Sequence, residues 1–262
     1  MKKKIVILGI SSDIGRNLAL KFFEKEYEIV GTYNSKGKIK KKEFKNYSLV
    51  KINASKISKQ NLKILKKKCN NWDTVISCFG ILTPIGKIFD LNIKNIKQNF
   101  DVNFFSNLQI LKEISKIRKK KSNIFLFSGS GSNSPAPGLS SYTLSKLLLI
   151  KLSELLSDEY KDINCTTIGP GYINTKIHKQ LIKNKNKAKD AYNKYLSLKI
   201  KNEQNSDSYN NLFDLIYQCI KNPKISRGRN FSCNYDKWRN NFSKIKKNII
   251  SNSNLFKLRR KN

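Results

Sequence analysis

Apolar and polar positions along this chain follow two alternating rhythms. Short apolar runs recur as IVILG, YEIVGTY, SLVKI, DTVISCF, NIFLFSG and CTTIG, and glycine or polar residues close each of them. Runs of this length read as strands buried on both faces. Between them apolar residues return at helical spacing, as Ile14, Leu18 and Phe22 do after the first run. Strands alternating with helices predict an α/β fold, a doubly wound parallel sheet with helices on both faces. YNNLFDLIYQCI reads as an amphipathic helix, and GRNFSCNYDKW as the last strand and its exit. YTLSKLLLIKLSELL is apolar on more than one face, more than contact with a single sheet requires.

A length of 262 residues suits a single domain with a substantial core. The expected division is one domain over 1–242 followed by a basic C-terminal tail over 243–262. There is no internal repeat. The start, MKKKIVILGI, has the charge and early apolarity of a signal peptide, but SSDIGRN interrupts it, so it reads as strand one. No stretch approaches the ~18 apolar residues of a membrane span.

Composition narrows the chemistry. Cys69, Cys78, Cys165, Cys219 and Cys233 are odd in number, scattered and without C-x-x-C spacing. They read as reduced thiols of a cytoplasmic protein rather than disulfides or zinc ligands, and no metal is expected. His178 is the only histidine, which excludes a Ser-His-Asp triad and places it in a surface helix. The net charge is +35. Phosphate-driven nucleic-acid binding would account for it, but the lysines are dispersed (KILKKK, IRKKKSN, KIKKN) and no nucleic-acid motif accompanies them. The reading is compositional, with a field that attracts acidic cofactors and substrates.

Two segments carry candidate chemistry. In KKKIVILGISSDIGRNLALKFF, a strand, the glycine Gly9 and a helix start form a cradle in which bare backbone and helix N–H groups can receive phosphate. In YTLSK, Tyr142 and Lys146 lie one helical turn apart on the same face. A lysine beside a phenol favours the phenolate and lowers its pKa, so that it can exchange a proton with a carbonyl or alcohol.

Together these segments resemble the short-chain dehydrogenase/reductase family over nearly the whole chain, in its short single-domain form with a Rossmann-type sheet. LGISSDIG stands at the family's Thr-Gly-x-x-x-Gly-x-Gly turn, keeping Gly9 and Gly15 and placing Asp13 at the middle glycine. SCFG, ending in Gly80, stands at Asn-Asn-Ala-Gly. Asn103 in VNFFSNLQIL matches the asparagine of the family's proton relay, and IGPGYINT supplies Pro170, Gly171, Ile173 and Thr175 beside the nicotinamide. The resemblance implies an NAD(P)-dependent interconversion of a ketone and a secondary alcohol. Tyr142 would move the proton, Lys146 would also bind the nicotinamide ribose, and Asn103 would hold a water linking that lysine to solvent. Gly9, Ser11, Ser12, Asp13, Ile14, Gly15, Asn34, Asn53, Gly80, Tyr142 and Lys146 join the four IGPGYINT residues in the cofactor site.

The end of strand two carries no acid at Thr32, Tyr33, Asn34 or Ser35, and Lys36, Lys38 and Lys40 follow. An acid there would select NAD, so the expectation is NADP, with NAD open. Asn53 replaces the family's usual aspartate near the adenine. The resemblance places the family's catalytic serine at Gly129, flanked here by Ser128 and Ser130. Ser130 is preferred because Ser128 reads as still on the strand, and loss of that donor stays open.

Residues 176–208 are polar and correspond to the family's substrate lid, with Tyr172, Ile177, Leu181, Tyr192 and Tyr195 facing the substrate. The surplus apolar face of YTLSKLLLIKLSELL would pair with its copy in a homodimer or homotetramer. NFSCNYDKW, SNLFKLRRKN and the SGSG loop resemble a subset linked to surface-polysaccharide synthesis, implying a sugar or sugar-nucleotide ketone. The rival is a 3-oxoacyl thioester. From another class come a catalytically idle NADP-binding regulator and a basic nucleic-acid-binding protein.

Overall fold

The computed structural model describes residues 2–34, 44–203, 207–236 and 238–259. Strands β1 (Lys4–Leu8), β2 (Glu28–Tyr33), β3 (Ser48–Lys51), β4 (Trp72–Ser77), β5 (Arg118–Phe127), β6 (Ile163–Gly169) and β7 (Asn230–Ser232) form one sheet in the order β3-β2-β1-β4-β5-β6-β7. Every neighbouring pair is parallel. Helices α1 (Asp13–Glu24), α2 (Lys59–Lys68), α3 (Ile93–Phe100), α4 (Ser106–Ile114) and α5 (Ser140–Glu159) belong to the first two thirds of the chain. They are followed by α6 (His178–Lys183), α7 (Lys189–Glu203), α8 (Ser208–Lys221), the short α9 (Pro223–Ser226) and α10 (Trp238–Ser251).

Side-chain alternation along each strand divides the core into two layers. Ile5, Ile7, Ile29, Ile76, Phe125, Phe127 and Ile168 pack with residues of α1, α8 and α10. Val6, Leu8, Val30, Val75, Ile124, Leu126 and Cys165 pack with residues of α2, α4 and α5 on the other side. Central strands therefore need apolar residues at every position, which is why they read as unbroken runs. All five cysteines are free, and only Cys78 is not buried. Among the described residues no helix is long and apolar enough to cross a membrane.

The expected tail at 243–262 is not a separate element as far as it is described. Helix α10 runs through the boundary, and Ile245 and Ile249 are buried in the same core as β1. Arg229 then fixes the chain beyond it, donating from Nε to Leu255 O at 3.2 Å and from Nη2 to Ser253 O at 3.1 Å. The apolar spacing of this helix is masked in the sequence by the lysines between its isoleucines. Ser35, Lys36, Lys38 and Lys40, on which the cofactor preference drew, lie outside the described residues.

Candidate active site

The sheet order changes direction between β1 and β4, so their C-terminal ends open a crevice, the usual ligand position in a sheet of this kind. Gly9 leaves β1 there with φ +83°, a conformation that favours glycine. Its N–H donates to Thr32 Oγ1 at 2.9 Å, bracing the turn on β2. Ser12 caps α1, its Oγ accepting the Gly15 N–H at 3.0 Å. A Cβ on Gly15 would come 2.4 Å from Gly9 O, so only glycine lets the helix start pack this tightly on the turn. Ser11 and Ile14 are half-buried beside it. Asp13, at the first helical position, reaches across the chain: its Oδ2 accepts the Lys176 N–H at 2.8 Å, and Oδ1 lies 3.4 Å from Lys176 Nζ.

Helix α5 carries Tyr142 and Lys146 into the same end of the sheet. Lys146 is buried, with Nζ 5.7 Å from the Tyr142 ring centre and a long 3.4 Å donation to Phe79 O. A Cβ on Gly80 would lie 3.7 Å from that nitrogen, so the SCFG segment meets the lysine directly. Asn103 sits in a π-helical turn, Asp101–Phe105, between α3 and α4. Such turns redirect side chains at functional sites. Its Nδ2 donates to Ser145 Oγ at 2.9 Å and to Asn99 Oδ1 at 3.0 Å, and its Oδ1 accepts the Ile81 N–H at 2.9 Å. Ser145 Oγ in turn donates to Tyr142 O at 2.8 Å. Asn103 thus ties α5 to the loop after β4.

The electrostatics differ from the simple sequence expectation. Burial pushes the Tyr142 phenol up to about 12. It also pulls Lys146 down to about 8, opposed by the nearby Cys78. Burial, which disfavours the charge on each group, outweighs the lysine that lies 5.7 Å from the phenol's ring centre. At neutral pH the phenol is a proton donor.

The three positions of the loop after β5 face different surroundings. Strand β5 ends at Phe127, so Ser128 lies just beyond it, buried, with its N–H on Ile168 O at 3.0 Å. Ser130 is exposed, and its carbonyl accepts the Thr143 hydroxyl at 3.1 Å. It is Gly129 that faces the phenol, since a Cβ there would come 2.5 Å from the Tyr142 oxygen.

Asn34 and Asn53 are exposed past β2 and β3, and Asn53 Oδ1 accepts the Ser55 N–H at 3.0 Å. Pro170, Gly171, Ile173 and Thr175 follow β6, with Ile173 buried. Tyr172, Leu181 and Tyr195 form a third apolar cluster with Leu82, Ile85 and Leu139, against which Ile177, Tyr192 and Tyr142 itself pack. The side chains expected to face the substrate therefore share one apolar cluster with Tyr142. His178 is half-buried rather than on the surface, its ring stacked on Tyr172 at 5.2 Å and 4.9 Å from the Tyr195 ring. That burial lowers its pKa.

Several site residues escaped the sequence reading. Gln180 Oε1 accepts two N–H groups, from Leu82 at 2.8 Å and Thr83 at 3.1 Å. Asn99 donates to Thr83 O at 2.7 Å, and Asn107 donates to Asn103 O at 2.9 Å. The i, i+4 series Asn99, Asn103, Asn107 was the one available signal.

A family model described as short chain dehydrogenase matches residues 3–186. An uncharacterized oxidoreductase of Schizosaccharomyces pombe is 30% identical over 154 residues, covering 57% of this chain and 62% of that protein. The match thus spans less than two thirds of that relative's length. A benzil reductase ((S)-benzoin forming) of Bacillus subtilis is 22% identical over 183 residues, covering 66% and 75%. The crystal structure of a short chain dehydrogenase/reductase from Saccharomyces cerevisiae superposes with a TM-score of 0.75 at 19% identity, covering 91% of this chain and 98% of that one.

Proposed function

The chain belongs to the short-chain dehydrogenase family, and from that premise we propose that it reduces a ketone to a secondary alcohol with a nicotinamide dinucleotide, Tyr142 donating the proton. The observation that carries this is the meeting of the half-buried Tyr142 and the buried Lys146 at the crevice between β1 and β4, beside the glycine turn. The turn suits a diphosphate: it is built of bare backbone, drawn tight by the space that Gly15 leaves, and it runs into the N-terminus of α1. A bound nicotinamide supplies the hydride.

The protein's own groups account for the rest. Tyr142, held protonated by burial, gives its proton to the forming alkoxide. Lys146 holds the cofactor's ribose and returns a proton toward the phenol, its pKa of about 8 suiting exchange near neutrality. Asn103 holds the register between α5 and the loop after β4 and receives the relay water. With no hydroxyl at Gly129, backbone N–H groups of the 129–131 loop polarise the carbonyl oxygen. Asn34 supplies no carboxylate at the end of β2, which supports NADP over NAD.

The aromatic and aliphatic surroundings of the phenol, with Tyr172, Tyr195, Leu82 and Leu181, support a ketone with an apolar or planar flank. Keto-sugars, sugar nucleotides and 3-oxoacyl thioesters are the comparison arms of the same screen. Exposed Leu144, Leu148 and Leu155 on α5, with Phe105, support assembly into a homodimer or homotetramer. The free cysteines support a reducing, cytoplasmic setting.

The test is NADPH oxidation across that panel by wild type and Tyr142→Phe. Turnover lost in the variant, with NADPH binding retained, is the expected result. Retained turnover sinks the role of Tyr142. Tight cofactor binding by a wild type that turns over no ketone would favour an idle nucleotide-binding protein.

A further inference from the structure

We propose that Lys176 is a cofactor-binding residue whose ammonium, held by Asp13 beside the glycine turn, faces the diphosphate of the bound dinucleotide. The assignment rests on the cofactor reading above.

The start of α1 attracts anions through its free N–H groups and the positive end of its dipole. In this chain a carboxylate, Asp13, already stands at the first helical position. Alone it would repel a diphosphate lying on the turn. It is not alone, because Lys176 approaches with two donors: the backbone N–H at 2.8 Å and Nζ at 3.4 Å. Lys176 directly follows Thr175, so the contact joins the phosphate turn to the base of the 176–208 segment across 163 positions of sequence.

The exposures assign the division of labour. The Asp13 side chain is 25% exposed and that of Lys176 59%, which leaves the ammonium open to solvent beside the start of α1. The backbone bond can hold the chain in place while the ammonium turns from the carboxylate to a phosphate oxygen. An exposed ion pair adds little to stability, so fold stabilisation does not account for the arrangement. Lys176 cancels the charge that Asp13 brings to the turn and restores an anion-binding edge, and Asp13 sets where that lysine stands.

The experiment is calorimetric titration of the full chain, wild type and Lys176→Met, with NADPH, NADH and ADP-ribose at low and raised salt. ADP-ribose keeps the diphosphate and lacks both nicotinamide and 2′-phosphate. Lys176→Met is expected to weaken all three ligands alike, by about tenfold, and to flatten the salt dependence. In an Asp13→Ala background the same substitution is expected to cost less than about threefold. A loss confined to NADPH would place the lysine at the 2′-phosphate and overturn the assignment, as would unchanged or tighter binding of all three. An undiminished loss in the Asp13→Ala background would overturn the positioning by Asp13. A folded wild type that binds none of the ligands would overturn the cofactor reading itself, whereas binding indifferent to Lys176 defeats this assignment alone.

Discussion

A Cβ built on Gly129 would stand 2.5 Å from the hydroxyl oxygen of Tyr142 and 2.6 Å from its ring carbon Cε1. The phenol occupies volume that a side chain at 129 would need. A hydroxyl and a Cβ cannot be added there without turning the ring, which is closed in by Leu139 and the other residues of its cluster.

Restoring a serine is therefore expected to harm this protein. Gly129→Ser and Gly129→Ala should both lower kcat by about 100-fold, the scale of a reacting group misplaced by an ångström. NADPH affinity should change little, because Gly129 lies on the phenol side of the site. Steady-state kinetics with a ketone found in the substrate screen decides it. A serine variant as fast as wild type would show that the phenol yields easily and that a hydroxyl was the missing donor.

Lys146 should weaken the fold that contains it. Burial lowers its pKa from 10.5 to about 8, and its one hydrogen bond among the described residues is a long one to Phe79 O. Between these values the unfolded chain binds more protons than the native one, so stability from this group rises with pH across that window. Below about pH 8 the full penalty applies. Cofactor-free Lys146→Met should accordingly be more stable than wild type at pH 7, by about 3 kcal/mol at most, and should lose that advantage above pH 10.5. Urea unfolding of both proteins from pH 7 to 11 measures it. Parallel curves would mean that water solvates the ammonium and the burial cost is absent.

Much of the frame was legible because its signals are local. Strand β1 announced itself through Ile5 to Leu8, each buried against one of two helical layers. Tyr142 and Lys146 were legible because one helical turn sets their spacing. The contacts that hold the site were not, because they join distant segments. Gln180 meets Leu82 across 98 positions, and Asp13 meets Lys176 across 163. Asn99 and Asn107 carry no signal of their own in an asparagine-rich chain; their part shows only where they meet Thr83 O and Asn103 O. The sign of the tyrosine's pKa shift was missed for a related reason: spacing gives proximity to a lysine, whereas burial, which wins here, depends on everything packed around the phenol.

The C-terminal segment should stabilise through Glu154. Arg259 first, and Lys151 second, hold this carboxyl down to about 2 from its usual 4.5, and Arg259 grips it with two donors. A depressed carboxyl stabilises the fold above its unfolded pKa and loses that contribution as pH falls through the folded one. Arg259 is itself more than a third exposed, so the net worth is about 1 kcal/mol. Arg259→Ala should lower the melting temperature by about 2 °C at pH 7, and the difference should shrink steadily below pH 4.5. A difference independent of pH would trace the loss to packing of the arginine stem instead.

Gln180 is expected to act as the latch of the lid. Its single carboxamide oxygen accepts the N–H groups of both Leu82 and Thr83, and its own carbonyl accepts from Asn184 at 2.9 Å, which stiffens α6. Leu82 and Thr83 belong to the loop that Asn99 and Asn103 hold from the opposite side. Helix α6 and the 99–103 segment thus grip one short loop. Gln180→Leu keeps the volume and removes the acceptor, leaving two backbone donors to find water. At about 1–3 kcal/mol for an unpaired buried donor, the segment over 178–203 should open about five- to a hundredfold more often. Limited proteolysis within α6 and α7 should quicken by that factor, and KM for the ketone should rise more than kcat falls, while global stability changes little. Gln180→Glu retains an acceptor oxygen and should recover most of the protection. If instead both variants lose protection equally, the amide N–H groups of Gln180 and not its oxygen hold the lid; if neither does, α6 is held by the apolar packing of Leu181 alone.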